Sequence, residues 1–382
     1  MITEAEILIV GAGPSGLALA AALRQRGIES VIAVDQLPAG ANTSRAAVIH
    51  ARTLEVLEPL GVTSTLTEQG IRIPTFRVRD RDRVLVTVDL SGISSAYRFA
   101  LMLPQDRTEQ ILLNRLETLG GAVTRPCELV SFTETRDGIE ATLLDNGTAR
   151  TVRAGWIVGC DGMHSRVRDQ AGIEFSGAEY QQSFVLADVR MDWPLGREEV
   201  SLFFSPAGLV VVAPLPGKRF RIVATIDDAP ELPSKPFMQE LVDTRGPSAR
   251  PGHIHDVIWS SRFRIHHRVA QTPRSGRVLL CGDAAHVHSP AGGQGMNTGI
   301  QDAVSLAEVL AQGAESAALD MWAAERHRVA NDIVAFTDRM TRLATMKSSG
   351  GQAIRNAAIS IAGHMPFLRS EFARRIAELN ID

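Results

Sequence analysis

Cysteine is scarce in this sequence and dispersed: Cys127, Cys160 and Cys281 are the only three. An odd number of distant thiols builds neither a disulfide framework nor a cysteine-rich metal site, and a reducing cytoplasm is the expected setting. A basic excess is also missing. The formal net charge is -3, so nucleic acid cannot be held by counterion release. No block of like charge suggests an interaction tail. No apolar run is long enough to cross a bilayer, and no membrane partner is expected. The opening Met1-Ile2-Thr3-Glu4-Ala5-Glu6 lacks the basic start and long apolar core of a secretory signal. Metal ligation has little to stand on. His286-Val287-His288 and His266-His267 have no carboxylate at ligand spacing, and HExxH is absent.

What the chain does have is apolar mass in strand and helix patterns. Its 382 residues are 45% hydrophobic, more than one core normally supports, so two interlocked lobes are expected. The start reads strand, helix, strand: Ile7–Val10, an Ala- and Leu-rich Ser15–Arg26 stopped by Gly27, then Val31–Val34. That βαβ order implies a parallel sheet. Phe76, Val78, Val84, Val86 and Val88 alternate around Asp80-Arg81-Asp82, as two antiparallel strands would. Thr108–Leu119 has helical spacing and Ala154–Val158 is a buried strand. Val200–Phe204, Leu209–Ala213 and Phe220–Thr225 are divided by Pro- and Gly-rich turns, which predicts an antiparallel meander. Arg277–Cys281 is another buried strand. Ile300, Ala303, Val304 and Ala307 then share one helix face. The expected class is α/β, with residues 1–70, 101–174 and 276–340 forming a discontinuous nucleotide lobe. Residues 71–100 and 175–275 would form a β-rich substrate lobe, and 341–382 a helical tail.

Gly11-Ala12-Gly13-Pro14-Ser15-Gly16 fits GxGxxG between a strand and a helix, the context this motif requires. The first glycine permits a tight turn, the second lets backbone approach a pyrophosphate, and the third lets helix pack on strand. The helix start offers free N–H groups and partial positive charge, and Pro14 costs little there. Asp35 closes the second strand, where a carboxylate can accept from ribose hydroxyls and would repel a 2′-phosphate. Later, Gly282-Asp283 emerges at the carboxyl end of an apolar strand. Pro290-Ala291-Gly292-Gly293-Gln294-Gly295-Met296-Asn297 leads into a second helix. One helix start suits a pyrophosphate, and the other suits the anion of a reduced flavin ring. FAD fits this pair better than NAD.

The set resembles the class A flavoprotein monooxygenases, the family of p-hydroxybenzoate hydroxylase and the polyketide aromatic hydroxylases. Gly11–Gly16 matches its GxGxxG, Cys160-Asp161-Gly162-Met163-His164-Ser165-Arg166 its DG motif, and Gly282-Asp283 with Pro290–Asn297 its GD motif. Ser44-Arg45-Ala46 resembles its arginine-bearing segment, and Pro104-Gln105 its flavin-contacting glutamine. The match runs from about Ile7 to Ala307 in family order. The resemblance implies a Rossmann-like FAD lobe with an inserted antiparallel sheet. It implies non-covalent FAD held by Gly11, Gly13, Pro14, Ser15, Gly16, Asp35, Arg45, Gln105, Asp161, Gly162, Arg166 and Asp283. Pro290, Gly295, Met296 and Asn297 would border the ring. NAD(P)H would reduce FAD transiently, in keeping with a single GxGxxG. Oxygen would then form a C4a-hydroperoxide that hydroxylates an aromatic or polyketide-like molecule, with no metal and no protein nucleophile. Other outcomes of the same flavin are epoxidation, N-oxygenation, Baeyer–Villiger insertion, or an oxygen-independent oxidoreduction. The chain stops too soon for a thioredoxin-like domain, and a homodimer is a possible assembly.

Plainer expectations accompany these. Phe203, Val211, Ala213 and Arg221 are candidates for a pocket wall, although strand faces are not fixed by sequence. Asp161 and Ser165 have the chemistry of helix caps. His286 would trim the flavin loop, and Cys160 and Cys281 would be small apolar fillers. Arg72, Arg77, Arg79, Arg81 and Arg83 alternate with acids and suggest a solvated face. With only Tyr97 and Tyr180 in the chain, a tyrosine proton relay is in doubt. The amphipathic stretch Phe367–Leu379 is expected to pack on the lobe or on a partner chain.

Overall fold

The computed structural model describes residues 2–40, 46–205, 207–290, 292–346 and 348–379. A parallel sheet forms around the first strand, Ile2–Val10, flanked by Val31–Val34 and Thr148–Gly159. Val123–Thr124 lies beyond Val31–Val34, and Val278–Leu280 lies beyond Gly159. Ile7, Leu8 and Ile9 are no more than 2% exposed, as expected of a strand covered on both faces. The helix Pro14–Gln25 is buried without a break from Gly16 to Leu23. Such a helix has no wet face, because it lies between the sheet and a second helix, Gly295–Ala311.

The two helices touch through small residues. A Cβ on Gly282 would stand 2.6 Å from the Ser15 hydroxyl, and one on Gly299 would stand 3.0 Å from the Gly282 Cα. Only glycine lets the phosphate turn, the Gly282 turn and the second helix approach this closely.

A second eight-stranded sheet is built on two 18-residue strands, Phe175–Asp192 and His253–Ala270. Arg219–Ile226, Gly208–Leu215 and Glu199–Ser205 continue it as the expected meander. The hairpin Thr75–Asp80 and Arg83–Asp89 then joins it, with Thr75–Asp80 parallel to Glu199–Ser205. At the opposite edge, His286–Val287 pairs with His253–Ala270 and links this sheet to the nucleotide elements. The fold is therefore α/β, with a Rossmann-like parallel sheet and a large antiparallel sheet inserted in sequence. A small third sheet holds Val48–Ile49, Ala100–Met102 and Ile71–Ile73. The helix Ser316–Ala344 runs across the expected boundary at 340, and two more tail helices follow, Ser349–Gly363 and Pro366–Ile376.

Three features depart from the sequence reading. Cys127–Glu134 and Ile139–Asp145 form an antiparallel hairpin that extends the parallel sheet beside Thr148–Gly159, in a segment with no prior assignment. The basic row is not a uniformly solvated face. Arg77 and Arg79 converge on Glu199, and Arg79 is buried, with its Nη2 donating to Glu199 Oε1 over 2.9 Å. Phe203 is fully buried among Val185, Phe220 and Ile222, on the face of the sheet opposite Val211 and Ala213. No helix of the described residues is long and apolar enough to cross a membrane.

Candidate functional site

A cavity of about 590 Å³ runs between the two large sheets. At one end it meets the turn Gly13-Pro14-Ser15, together with Cys160, Gly162, Met163 and Asp283. Its middle is edged by Gln105 and the loop Pro290, Gly292–Met296. Its far wall is the apolar face of the antiparallel sheet, including Val200, Leu202, Val211 and Ala213. Phe336, Met340, Phe372 and Ile376 from the tail helices close the side.

The glycine turn has the geometry a dinucleotide requires. Gly11 has φ +98°, which favours glycine, and a Cβ there would press on Cys160 backbone at 2.5 Å. A Cβ on Gly16 would fall on the Gly11 carbonyl. Gly13 has open space above it, so a ligand can reach the backbone. Asp35 braces the turn from the side. Its Oδ2 accepts from Ala12 N at 2.7 Å, and its Oδ1 accepts from Leu37 N at 2.8 Å. Arg125, just past the edge strand Val123–Thr124, donates to Ala12 O at 2.7 Å with its Nη2 3.8 Å from Asp35. Sequence spacing gave no sign of Arg125, because its partners lie about a hundred residues away along the chain.

Asp161 caps the short helix Arg166–Gln170 through Oδ2, which accepts from Arg166 N at 2.8 Å and Val167 N at 3.2 Å. Ser165 caps it as well, accepting from Arg168 N at 3.0 Å. Asp161 Oδ1 is buried with no hydrogen-bond partner among the described residues. Burial pushes this carboxyl up, against the pull of Ser165 and the backbone of Val167 and Arg166. Such an orphaned acceptor awaits a donor. The Arg166 side chain turns away from the cavity. It bonds Leu129 O at 3.1 Å and pairs with Glu128 at 2.6 Å, so only its backbone serves the DG turn.

Gln105 accepts from Ala46 N at 3.3 Å and donates to Glu109 at 2.8 Å. Pro290, Gly295 and Met296 line the cavity. Asn297 does not. Its amide is consumed within the loop, accepting from His50 N at 2.8 Å and donating to Val48 O and Gly293 O at 2.9 and 2.8 Å. His50 completes this clasp through Nε2, 2.7 Å from Gly292 O. Burial lowers the His50 pKa to about 4, so the ring is neutral and donates there. Arg45 lies outside the described residues.

His286, expected to trim the flavin loop, is not the histidine at the cavity. His286 is buried behind the cavity, with Nε2 2.6 Å from Asp302, which also accepts from Arg326 Nε at 2.6 Å and Gly282 N at 3.1 Å. Desolvation raises the Asp302 pKa, but Arg326 and His286 more than offset it and leave it at about 2. His288 is the one on the cavity wall. Of the four expected wall residues, Val211, Ala213 and Arg221 line the cavity. Arg221 is bidentate on buried Asp188, at 2.7 and 3.0 Å, so its charge is already matched. Cys160 reaches the cavity, while Cys281 is buried behind it.

A glycine turn on a parallel sheet, a second helix start across from it and a long cavity between define a dinucleotide-binding α/β protein. Residues 4–337 match the family described as FAD binding domain, and the chain belongs to that family. FAD is its cofactor. The chain is 37% identical to a 6-methylpretetramide 4-monooxygenase of Streptomyces rimosus, over 90% of this chain and 63% of that one. It is 33% identical to a pentachlorophenol 4-monooxygenase of Sphingobium chlorophenolicum, over 88% of this chain and 64% of that one. It thus spans under two thirds of the length of these two relatives. A solved p-nitrophenol 4-monooxygenase from Pseudomonas putida DLL-E4 has the same fold, with TM-score 0.91, 24% identity and coverage of 100% and 99%.

Proposed function

We propose that the chain is an FAD-dependent, NAD(P)H-consuming monooxygenase that hydroxylates an aromatic or polyketide-like small molecule. The observation that carries this reading is one cavity lined together by the Gly13–Ser15 turn, by Pro290 and Met296, and by an apolar sheet face. A small-molecule site of this kind is expected to be mostly apolar with a few placed polar groups. The two relatives are named as monooxygenases of 6-methylpretetramide and of pentachlorophenol, and an aromatic substrate suits such a wall.

The residues fit FAD. Gly11, Gly13, Pro14, Ser15 and Gly16 would take the pyrophosphate, with Asp35 and Arg125 bracing the turn on the adenosine side. Asp161 would accept a hydroxyl hydrogen through Oδ1, and Asp283 would hold the ribityl portion with Gly162 beside it. Gln105, Pro290, Gly295 and Met296 would edge the ring, and Arg45 would approach it. When bound, FAD supplies the activation of oxygen, with electrons drawn from NAD(P)H. The chain would orient the cofactor, exclude water with the apolar sheet, and favour negative charge on the ring at the start of Gly295–Ala311. Residues 1–70, 101–174 and 276–340 would act as the cofactor lobe and 71–100 with 175–275 as the substrate lobe. The cytoplasm and a homodimer complete the proposal.

The test is NADH and NADPH oxidation with and without a panel of phenols and polycyclic phenols, followed by mass analysis under labelled oxygen. Label in the product supports hydroxylation. Turnover that continues without oxygen, and product without label, would replace it with a simple oxidoreductase.

A further inference from the structure

We propose that His288 is the residue by which this cavity recognises a hydroxylated substrate, with its Nε2 accepting the hydrogen of a substrate hydroxyl. The inference rests on the hydroxylase reading and adds to it a specific contact. His288 Nδ1 stands 3.0 Å from Ser289 O. A carbonyl only accepts, so Nδ1 carries the hydrogen. Burial, aided by neighbouring His286, lowers the His288 pKa to about 4 against the Ser289 bond and Asp302. The ring is therefore neutral, and Nε2 presents a bare lone pair.

That lone pair is buried and has no partner among the described residues. The His288 ring lies on the cavity wall beside the start of the second helix, with Nε2 3.9 Å from where a Cβ on Gly295 would be. The ring cannot turn away easily. It stacks on His286 with centroids 6.4 Å apart and planes 13° from parallel, and Asp302 and Arg326 fix His286 from behind. Thr341 donates to the Ser289 hydroxyl at 2.6 Å and steadies the same loop from the tail helix. A fixed, buried acceptor demands a donor from whatever fills the cavity. A phenolic O–H supplies one, and a methyl ether does not. Because Nε2 is a weak base, the phenol binds with its proton still on oxygen.

The experiment titrates FAD-loaded protein with phenols of one to four rings, each against its own methyl ether, and follows the flavin absorbance. Wild type should bind the phenol roughly tenfold or more tighter, since a site built for a hydroxyl rejects the analogue lacking it. His288→Phe should bring each pair to within about twofold while FAD stays bound with unchanged affinity. In wild type labelled with ¹⁵N-histidine, the Nε2 resonance should move with the phenol and stay still with the ether. That measurement decides the question even if the variant does not fold. A preference that survives in His288→Phe overturns the inference and leaves the hydroxylase reading intact. So does a variant that folds, by an unchanged far-UV spectrum, but no longer holds FAD, because the donor that Nε2 meets is then a ring N–H of the flavin. If no arene perturbs the wild-type flavin, the hydroxylase reading falls and the inference with it.

Discussion

Replacing Glu378 with glutamine should stabilise the protein, and the gain should grow with pH. Glu378 is completely buried, with Oε2 accepting from Gln301 Nε2 at 2.6 Å and Oε1 without a partner among the described residues. Desolvation raises its pKa from 4.5 to about 8, against the pull of Gln301, Arg326 and Thr53. The folded protein therefore keeps a proton that the unfolded chain releases above pH 4.5. Stability from this group is fully present below that pH and is lost as pH rises through about 8. At about 1.36 kcal/mol per pH unit, the loss reaches about 3 kcal/mol at pH 7 and about 5 kcal/mol above pH 8. These are ceilings for a site that admits no water. Glu378→Gln copies the neutral form and escapes the loss. At about 2.1 cal/mol/K of unfolding entropy per residue, 382 residues give roughly 1 °C per kcal/mol, so Tm should rise by about 5 °C at pH 8. At pH 4.5 it should hardly change. The assay is thermal melting of both proteins from pH 4.5 to 8.5. Parallel Tm curves across that range would refute the reasoning, because they would mean that Glu378 ionises alike folded and unfolded.

Other outcomes follow from the site. Gly16→Ala should give protein that is colourless or misfolded, since its Cβ would fall on Gly11 O; absorbance near 450 nm against protein mass reads this. Asp302→Asn leaves Arg326 without its buried counter-charge and should cost about 3–5 kcal/mol in denaturant unfolding. Asp283→Ala should weaken FAD by roughly tenfold in equilibrium dialysis with the far-UV spectrum unchanged, because a bond to a charged group is worth about 1.5–3 kcal/mol. A fully yellow Asp283→Ala protein would remove Asp283 from the cofactor site.

The parts of this fold that sequence made legible are those written in short spacings. Gly11–Gly16 is a local device, and its strand and helix stand within a few residues of the expected ends. The meander could be read because each turn carries its own Pro or Gly signal. The clasp of His50 on Asn297 and Gly292 could not, since it joins residues about 240 positions apart with no motif of its own. Nor could Phe336 and Phe372, which reach the cavity only because the tail helices fold back across it. His288 was within reach. In an extended segment His286 and His288 share a face, and the second of two such side chains stands one step nearer the loop. Asn297 misled in the opposite direction. Its place in a ligand loop suggested contact, but a buried amide must satisfy its own bonds first, and here the backbone takes them.

The glycine contact between the phosphate turn and the Gly295–Ala311 helix has one more consequence. Ser15, Gly282 and Gly299 lock the two helix starts at a set separation, so the pair works as a ruler. The stretch it would gauge is the one from flavin ring to first phosphate, which FMN and FAD share. Choice of the longer cofactor would then fall to the far side of the phosphate turn, where Asp35 and Arg125 hold Ala12.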